Sequence, residues 1–316
     1  DYSSVGWTDY ERKDDFNGVI MFKNFLKITF RNIVKYKAYS IINISGLALG
    51  MVACLIIMLY VQDELSYDNH YPDAEQIFRV VLDLQTGDEE IEYASTPSSL
   101  AMALKSDFPI VKQAVRLMTN PETVIRFGEN KKFNEDRIYH TDTEIFDVFH
   151  IPFLCGDKNT CFNHPNSVVI TEEIAHKYFG SHNPVGSLLD FGYAKFEVTG
   201  VLENISQNTH LKFDFLLPLN LYDSENWKAQ GWDNFDGQTG LVYTYIKIHQ
   251  NAALDELKKR LSTTPLDYPG PAKLAKAGLK LSYSVQQIRD IHLHSHRRNE
   301  ADRKSTRLNS SHRYVS

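Results

Sequence analysis

The chain has 316 residues, 42% of them hydrophobic and 23% charged, which is enough for about two domains and a buried core. A formal net charge of −6 argues against a nucleic-acid binder, and three cysteines exclude both a disulfide-stapled mini-scaffold and a four-cysteine zinc site. The mean hydropathy of −0.35 is that of a soluble body, but the average conceals one strongly apolar segment.

Residues 1–20 are polar and aperiodic and lie upstream of Met21, where MFKNFLKITFRN reads as a more natural start. The expectation is that 1–20 is non-native upstream sequence, the alternative being a short disordered tail. Over residues 21–40, Lys23, Lys27, Arg31 and Lys35 recur every four positions beside a stripe of Phe22, Leu26, Phe30 and Ile33. That pattern predicts a basic amphipathic helix lying in the plane of the lipid headgroups, against the blander reading of a solvated linker.

Ile41–Val61 is twenty-one residues without a charge. As a helix it reaches about 30 Å, the thickness of a bilayer's hydrocarbon core. Basic residues precede it, and Asp63, Glu64 and Asp68 follow. The positive-inside rule therefore leaves the N-terminus cytoplasmic and the body outside. The run is too long for the apolar core of a cleaved signal peptide. Met51-Val52-Ala53-Cys54 loosely resembles a lipobox, but the sequence stays apolar after Cys54, so a retained anchor is expected. Gly46 and Gly50 form a GxxxG that admits a neighbouring helix, with Asn43 and Ser45 placed to hydrogen-bond across it.

The body alternates strand and helix signals. Ile77–Leu84 is a β-branched run, Thr96-Pro97 is the expected start of a helix to about Lys105, and Val111–Leu117 is a second strand. The pattern recurs near the end. Leu241–Ile248 is a strand, Asn251 caps a helix with acids early and bases late, and Leu279–Val285 is the closing strand. Between the two units, short strands at Glu122–Phe127, Ser167–Ile170, Lys195–Leu202 and Lys212–Leu217 are interrupted by brief helices. Thr141-x-x-Glu144 is read as a capping box opening one helix, and Thr171 with Glu172 and Glu173 as opening another. The predicted fold class is α+β: one N-terminal transmembrane helix, then a domain of two strand-helix-strand units with a mostly-β subdomain inserted at about 120–218. Residues 219–240 are read as an exposed connecting loop.

Chemistry is sparse. The sequence has no GxxxxGK[ST], strand-borne GxGxxG, HExxH or GxSxG. His292-Leu293-His294-Ser295-His296 would put three imidazoles on one face of a strand, either as metal ligands or as the lining of a wet edge. No carboxylate or cysteine accompanies them at ligand spacing, so no metal is expected. Cys155 and Cys161 flank a short loop that an oxidising compartment would allow to be bridged. No catalytic, cofactor-binding or metal residue is assigned.

Several segments together resemble the N-terminal region of MacB/FtsX-type ABC transporter permeases as they occur in Bacteroidota. They are YSIINISGLALGMVACLIIMLYVQDELSYD with the following IFRV, HPNSVVITEEIAHKYFG (164–180), NPVGSLL (183–189), FEVTGVLENISQNTHLKFDFL (196–216) and VQQIRDIHLHS (285–295). The resemblance covers essentially 21–296. It implies a first transmembrane helix, a periplasmic core domain over 65–296 and three further helices. It also implies a separate ATPase that binds the ATP, and a homodimer or a heterodimer with a similar permease in an inner membrane. Movement driven by ATP would pass to the periplasmic domains and export a peptide, drug or lipoprotein. Asp302–Ser316, basic and serine-rich, resembles a translated sequencing-adapter tail, so the natural protein is expected to continue past about residue 300. The rival expectation is a single-pass, membrane-anchored binding or sensing module.

Overall fold

The computed structural model describes residues 8–87, 89–219, 242–250, 254–263, 279–295 and 297–300, with side chains from Met21 onward. It divides into two compact units, residues 1–65 and 66–316.

The first unit is two helices, α1 (Thr8–Lys35) and α2 (Lys37–Leu65). The first begins well ahead of Met21, inside the stretch read as aperiodic. From Thr8 onward that stretch contains no proline and a single glycine, Gly18, so nothing there stops a helix seeded by residues 21–35. The second overruns Val61 for the same reason, since Gln62–Leu65 contains no helix breaker. Its 29 residues span about 43 Å at 1.5 Å per residue. It is long and apolar enough to cross a membrane, and none of its residues is buried within the chain.

The second unit starts at Ser66. A single 3-10 turn (Ala74–Gln76) feeds β1 (Ile77–Thr86), followed by β2 (Glu89–Tyr93), α3 (Ser99–Asp107) and β3 (Val111–Thr119). The inserted elements are β4 (Thr123–Phe127), β5 (Lys131–Glu135), β6 (Ile138–Thr141), α4 (Ile145–Val148) and β7 (Phe153–Cys155). After them come β8 (Ser167–Thr171), α5 (Glu172–Phe179), β9 (Leu188–Asp190), β10 (Lys195–Leu202) and β11 (Phe215–Pro218). The chain returns with β12 (Tyr243–Ile248), α6 (Leu254–Thr263), β13 (Leu279–Gln287) and α7 (Ile288–His294).

The two strand-helix-strand units interleave rather than sit side by side. Strand order is β13-β1-β12-β3, every neighbour antiparallel, which is the arrangement of a split, ferredoxin-like β-α-β pair. Phe78, Val80 and Leu82 of β1 face Leu100 and Leu104 of α3 and Leu257 and Leu261 of α6. The opposite face is also covered, with Ile77, Val115, Leu117 and Tyr245 packing on Phe146, Phe149, Leu211 and Phe213. Burial on both faces explains why these strands read as continuous apolar runs instead of alternating ones.

The inserted subdomain continues the same ladder instead of forming a separate sheet. β3 pairs with β6, and the order runs on through β11, β8, β10, β9, β4 and β5. Its core is rich in rings, with Tyr178, Phe179, Phe191, Phe196 and Phe215 buried together beside Ile138, Val168 and Ile170. β7 lies close against β10. A Cβ on Gly156, where φ is +92°, would stand 2.5 Å from the Thr199 carbonyl oxygen, so only glycine fits.

Two expected helix starts are corrected, and a third, at Thr171, stands. Thr96 does not cap α3, which begins at Ser99. Its backbone pairs with Val242 and its hydroxyl meets Thr244 Oγ1 at 2.8 Å, so the sheet takes it instead. Thr141 ends β6 and donates to the Arg116 carbonyl, while Glu144 pairs with Lys105, so the capping box does not form. Thr171 does precede α5, but the cap comes from elsewhere: Asn204 Oδ1 accepts the Glu173 N–H at 2.8 Å. Five strands had no sequence reading: β2, β5, β6, β7 and β9. Residues 220–240 of the expected loop, the Asn251 cap and the expected tail at 302–316 lie outside the described residues.

Candidate functional site

The most organised polar feature joins the beginning of the second unit to its end. Asp68 stands three residues after Leu65, is fully buried and has a φ of +58°. Its carboxylate stabilises that left-handed turn. It accepts from Thr209 Oγ1 at 2.6 Å and faces His210 Nδ1 at 2.8 Å. The Asp68 N–H donates to the Asn208 carbonyl at 2.9 Å. Because the Thr209 hydroxyl proton goes to Asp68, Tyr71 Oη is left to donate to Thr209 across 3.2 Å. Burial by itself would raise the Asp68 pKa, but His210 and Thr209 outweigh it and hold the carboxyl below its ordinary value.

His210 carries the connection onward. Its Nε2 meets Tyr245 Oη at 2.8 Å, and Tyr245 is the cross-strand partner of Arg79. Burial pushes the Tyr245 phenol well above its ordinary pKa, so it remains a neutral donor and acceptor. Arg79 is itself completely buried in the apolar run of β1. Its Nη1 donates to Glu300 Oε2 at 2.6 Å. Its Nη2 donates to Glu300 Oε1 at 3.0 Å, Ser295 Oγ at 2.7 Å and Gln286 Oε1 at 2.8 Å. This is the bidentate geometry that suits arginine to buried carboxylates. Burial would raise the Glu300 pKa, and the Arg79 guanidinium reverses that, leaving it below the ordinary glutamate value.

Shorter ties flank this clasp. Tyr67 stacks on His292 with ring centroids 3.4 Å apart and planes 3° from parallel. Arg297 pairs with Asp83 at 2.8 Å, and the backbones of Ala94 and Arg298 join at 2.9 Å. Lys247, nearly fully buried, reaches Asp73 at 2.7 Å and His150 Nε2 at 2.8 Å. The segment entering the domain (66–73) is thereby fixed to β12, and the segment leaving it (292–295 and 297–300) to β1, with the Tyr67–His292 stack joining the two segments. In this network, apart from Arg79 Nε, which is buried without a partner, the donors and acceptors named here are engaged with one another, and among the described residues no nucleophile is lined up with a free base. Its physical role is a tie rather than a reaction centre.

The residues singled out from sequence fare differently. His292 and His294 lie on the helix α7, where a two-residue step turns by about 200°, so they do not share a face. His292 is engaged with Tyr67, and His296 lies outside the described residues. Among the described residues no group of three or more metal-ligating side chains comes together. Cys155 is exposed and Cys161 buried, and both are free thiols, as is the exposed Cys54. Cys161 donates weakly to the Lys158 carbonyl at 3.3 Å, and burial pushes its pKa up to about 12. In the span, Ser45 Oγ donates back to the Ile41 carbonyl at 2.6 Å, and nothing lies within 4 Å of a Cβ at Gly46 or Gly50.

Sequence reasoning missed Asp68, Arg79, His210, Tyr245 and Glu300 as a group. One signal was available: an arginine inside IFRVVL cannot be buried without a partner. The partner's identity, 221 positions away, was not readable from spacing.

A family model for the MacB-like periplasmic core domain matches residues 40–264. YvrN of Bacillus subtilis strain 168, an uncharacterized ABC transporter permease, is 25% identical over 286 residues, which is 84% of this chain and 66% of that protein. Among solved structures, a domain of a protein described as a permease from Porphyromonas gingivalis superposes with a TM-score of 0.60. It is 20% identical and is matched over 69% of this chain and 91% of its own. The periplasmic region of MacB from Actinobacillus actinomycetemcomitans gives a TM-score of 0.46 at 14% identity, over 79% of this chain and 98% of its own.

Proposed function

The chain belongs to the MacB-like periplasmic core domain family, and on that premise we propose that it is the anchored domain of an ABC transporter permease subunit of the MacB/FtsX type. In this reading α2 crosses the inner membrane. The basic run Lys23–Lys37 stays on the cytoplasmic side, and the unit beginning at Ser66 stands in the periplasm. A separate ATPase binds and hydrolyses ATP, and the permease contributes no catalytic or cofactor-binding residue. A second permease copy, identical or similar, completes the transporter. Movement originating at the ATPase reaches the periplasmic domain through α2 and does work on a peptide, drug or lipoprotein. The chain spans 66% of the length of YvrN.

The observation that carries this reading is the clasp. A pull delivered at Ser66 meets Asp68 within two residues and passes through His210 and Tyr245 to Arg79 and Glu300. A domain that must answer to its membrane helix as one body needs such a tie, whereas a domain on a passive tether does not. The test is co-expression of the complete gene product with a candidate ABC ATPase from the same genome, followed by purification in nanodiscs. The expected result is a stable complex whose ATP turnover changes when Glu300 is replaced by Gln. Isolation of a permease-free ATPase and a monomeric anchored chain would favour the single-pass binding or sensing module instead.

A further inference from the structure

The inserted subdomain holds a second polar feature, whose lining residues flank Asn208–His210 in sequence but are not themselves part of the clasp. A cleft of about 110 Å³ opens where β8 runs into α5, between the β5–β6 turn and the segment 204–214. Thr171 and Asp214 lie at its floor, both buried, and Arg137, Glu173 and Lys212 stand exposed around it.

Three observations define what the cleft can hold. The Thr171 hydroxyl is 2% exposed at the residue level and has no hydrogen-bond partner in the protein. A buried hydroxyl in that condition is costly unless something meets it, and here it lines an opening. Asp214 also lines the cleft, with Oδ2 accepting from Arg137 Nε at 2.9 Å, and Glu173 lines it too. Burial raises the Asp214 pKa to about 6; Arg137 opposes that rise, and the carboxylates Glu173 and Glu135 add to it. Lastly, neither Glu173 nor Lys212 forms an ion pair among the described residues, so one unengaged charge of each sign faces the same small space.

An anion seated on the helix N-terminus is disfavoured. Asn204 already occupies the Glu173 N–H, and two glutamates open α5. We propose that this cleft binds a primary ammonium flanked by a carbonyl or carboxylate oxygen, the head group of a peptide's amino end or of a free amino acid. The ammonium donates to Asp214, Glu173 and the Thr171 hydroxyl, and the adjacent oxygen accepts from Lys212. The volume is well under the roughly 300 Å³ of a typical small-molecule site, so a single terminal residue enters and the rest of a peptide lies outside.

The test uses the full chain in nanodiscs and calorimetric titration with L-alanyl-L-alanine, its N-acetyl derivative and L-alanine. The dipeptide is expected to bind at least about tenfold more tightly than the acetylated form, which lacks the ammonium. Thr171→Val, which keeps the volume and removes only the unpartnered hydroxyl, is expected to weaken the dipeptide about threefold or more. Lys212→Gln, on an exposed side chain, is expected to do the same without affecting folding. Alanine binding as well as the dipeptide identifies a free amino acid as the source, and weaker alanine binding identifies a peptide. Equal affinity for acetylated and free dipeptide, or an affinity unmoved by Thr171→Val and Lys212→Gln together, overturns the proposal.

Discussion

The two halves of this domain share one hydrogen-bonded sheet but are stabilised by different chemistry. In the half built from β13, β1, β12 and β3, the decisive contacts are ionic and directional: Arg79 with Glu300 within it, and Asp68 with His210, which reaches in from the inserted half. In the inserted half they are rings. Phe191 lies 4.8 Å from Phe196 and 5.9 Å from Phe215, and Phe215 lies 6.2 Å from Tyr178. Ring packing tolerates small displacements, because its energy is spread over many weak contacts. A buried ion pair does not, because each charge is stable only while its partner is in place. The rigid chemistry therefore stands where the chain enters and leaves the domain, and the forgiving chemistry lies away from it.

Breaking the clasp tests the contrast most severely. Arg79→Ala or Glu300→Ala leaves one buried charge uncompensated and is expected to cost about 3–5 kcal/mol in denaturant unfolding. Replacing both by leucine is expected to recover most of that loss, because the penalty lies in the orphaned charge. Full additivity of the two single losses would show that the pair does not act as a unit. In the inserted half, Phe215→Ala is expected to cost a similar ~3–5 kcal/mol through cavity formation. Its cost should be the same at pH 3 and pH 7, unlike that of the clasp variants below.

The two halves should also respond to acid in opposite senses. Asp68 and Glu300 have folded pKa values below their unfolded ones. Their stabilisation is therefore complete above the unfolded carboxylate range, near pH 4, and is lost as pH falls through the lower folded values. Asp214 is raised to about 6, so the folded state favours its protonated form. Its contribution is present below about pH 4 and is lost as pH rises through about 6. Against the parent, Asp214→Asn should gain relative stability between pH 4 and 7, whereas Glu300→Gln should lose it as pH climbs toward the unfolded carboxylate range near 4 and stay level above it. Stability curves that stay parallel to the parent for both variants would remove the electrostatic half of the comparison.

The smallest expected effect sharpens the path of the clasp. Tyr245→Phe removes only the hydroxyl facing His210 and should cost about 0.5–1.5 kcal/mol. Combined with Asp68→Asn, it should show non-additive coupling, because both substitutions touch the same imidazole.

How much of this was legible depended on the kind of residue involved. β1, β3, β10, β12 and β13 were readable as strands because runs such as IFRVVL and YTYIKI combine β-branched and aromatic residues and are buried on both faces. β6 was not, because its four residues include His140 and Thr141, whose burial is supplied by neighbours far away in sequence. β2 was hidden by its acids, Glu89, Glu90 and Glu92, which are acceptable only on a solvated hairpin. The histidine run was misread because alternation groups side chains on a strand and separates them on a helix. The clasp was illegible for a deeper reason: its members come from five separated segments, and no local pattern ties residue 68 to 210 or residue 79 to 300.

The central claim is that the segments entering and leaving the domain are one mechanical body. Native-state hydrogen exchange on the chain in nanodiscs, parent against Glu300→Gln, tests it most directly, through the amides of Asp68, Arg298 and Gly186. These donate to Asn208, Glu92 and Val198 respectively, the last of them in the inserted half. The account predicts that Asp68 and Arg298 lose protection together while Gly186 keeps its own. Loss at Arg298 alone, with Asp68 as protected as in the parent, would contradict it.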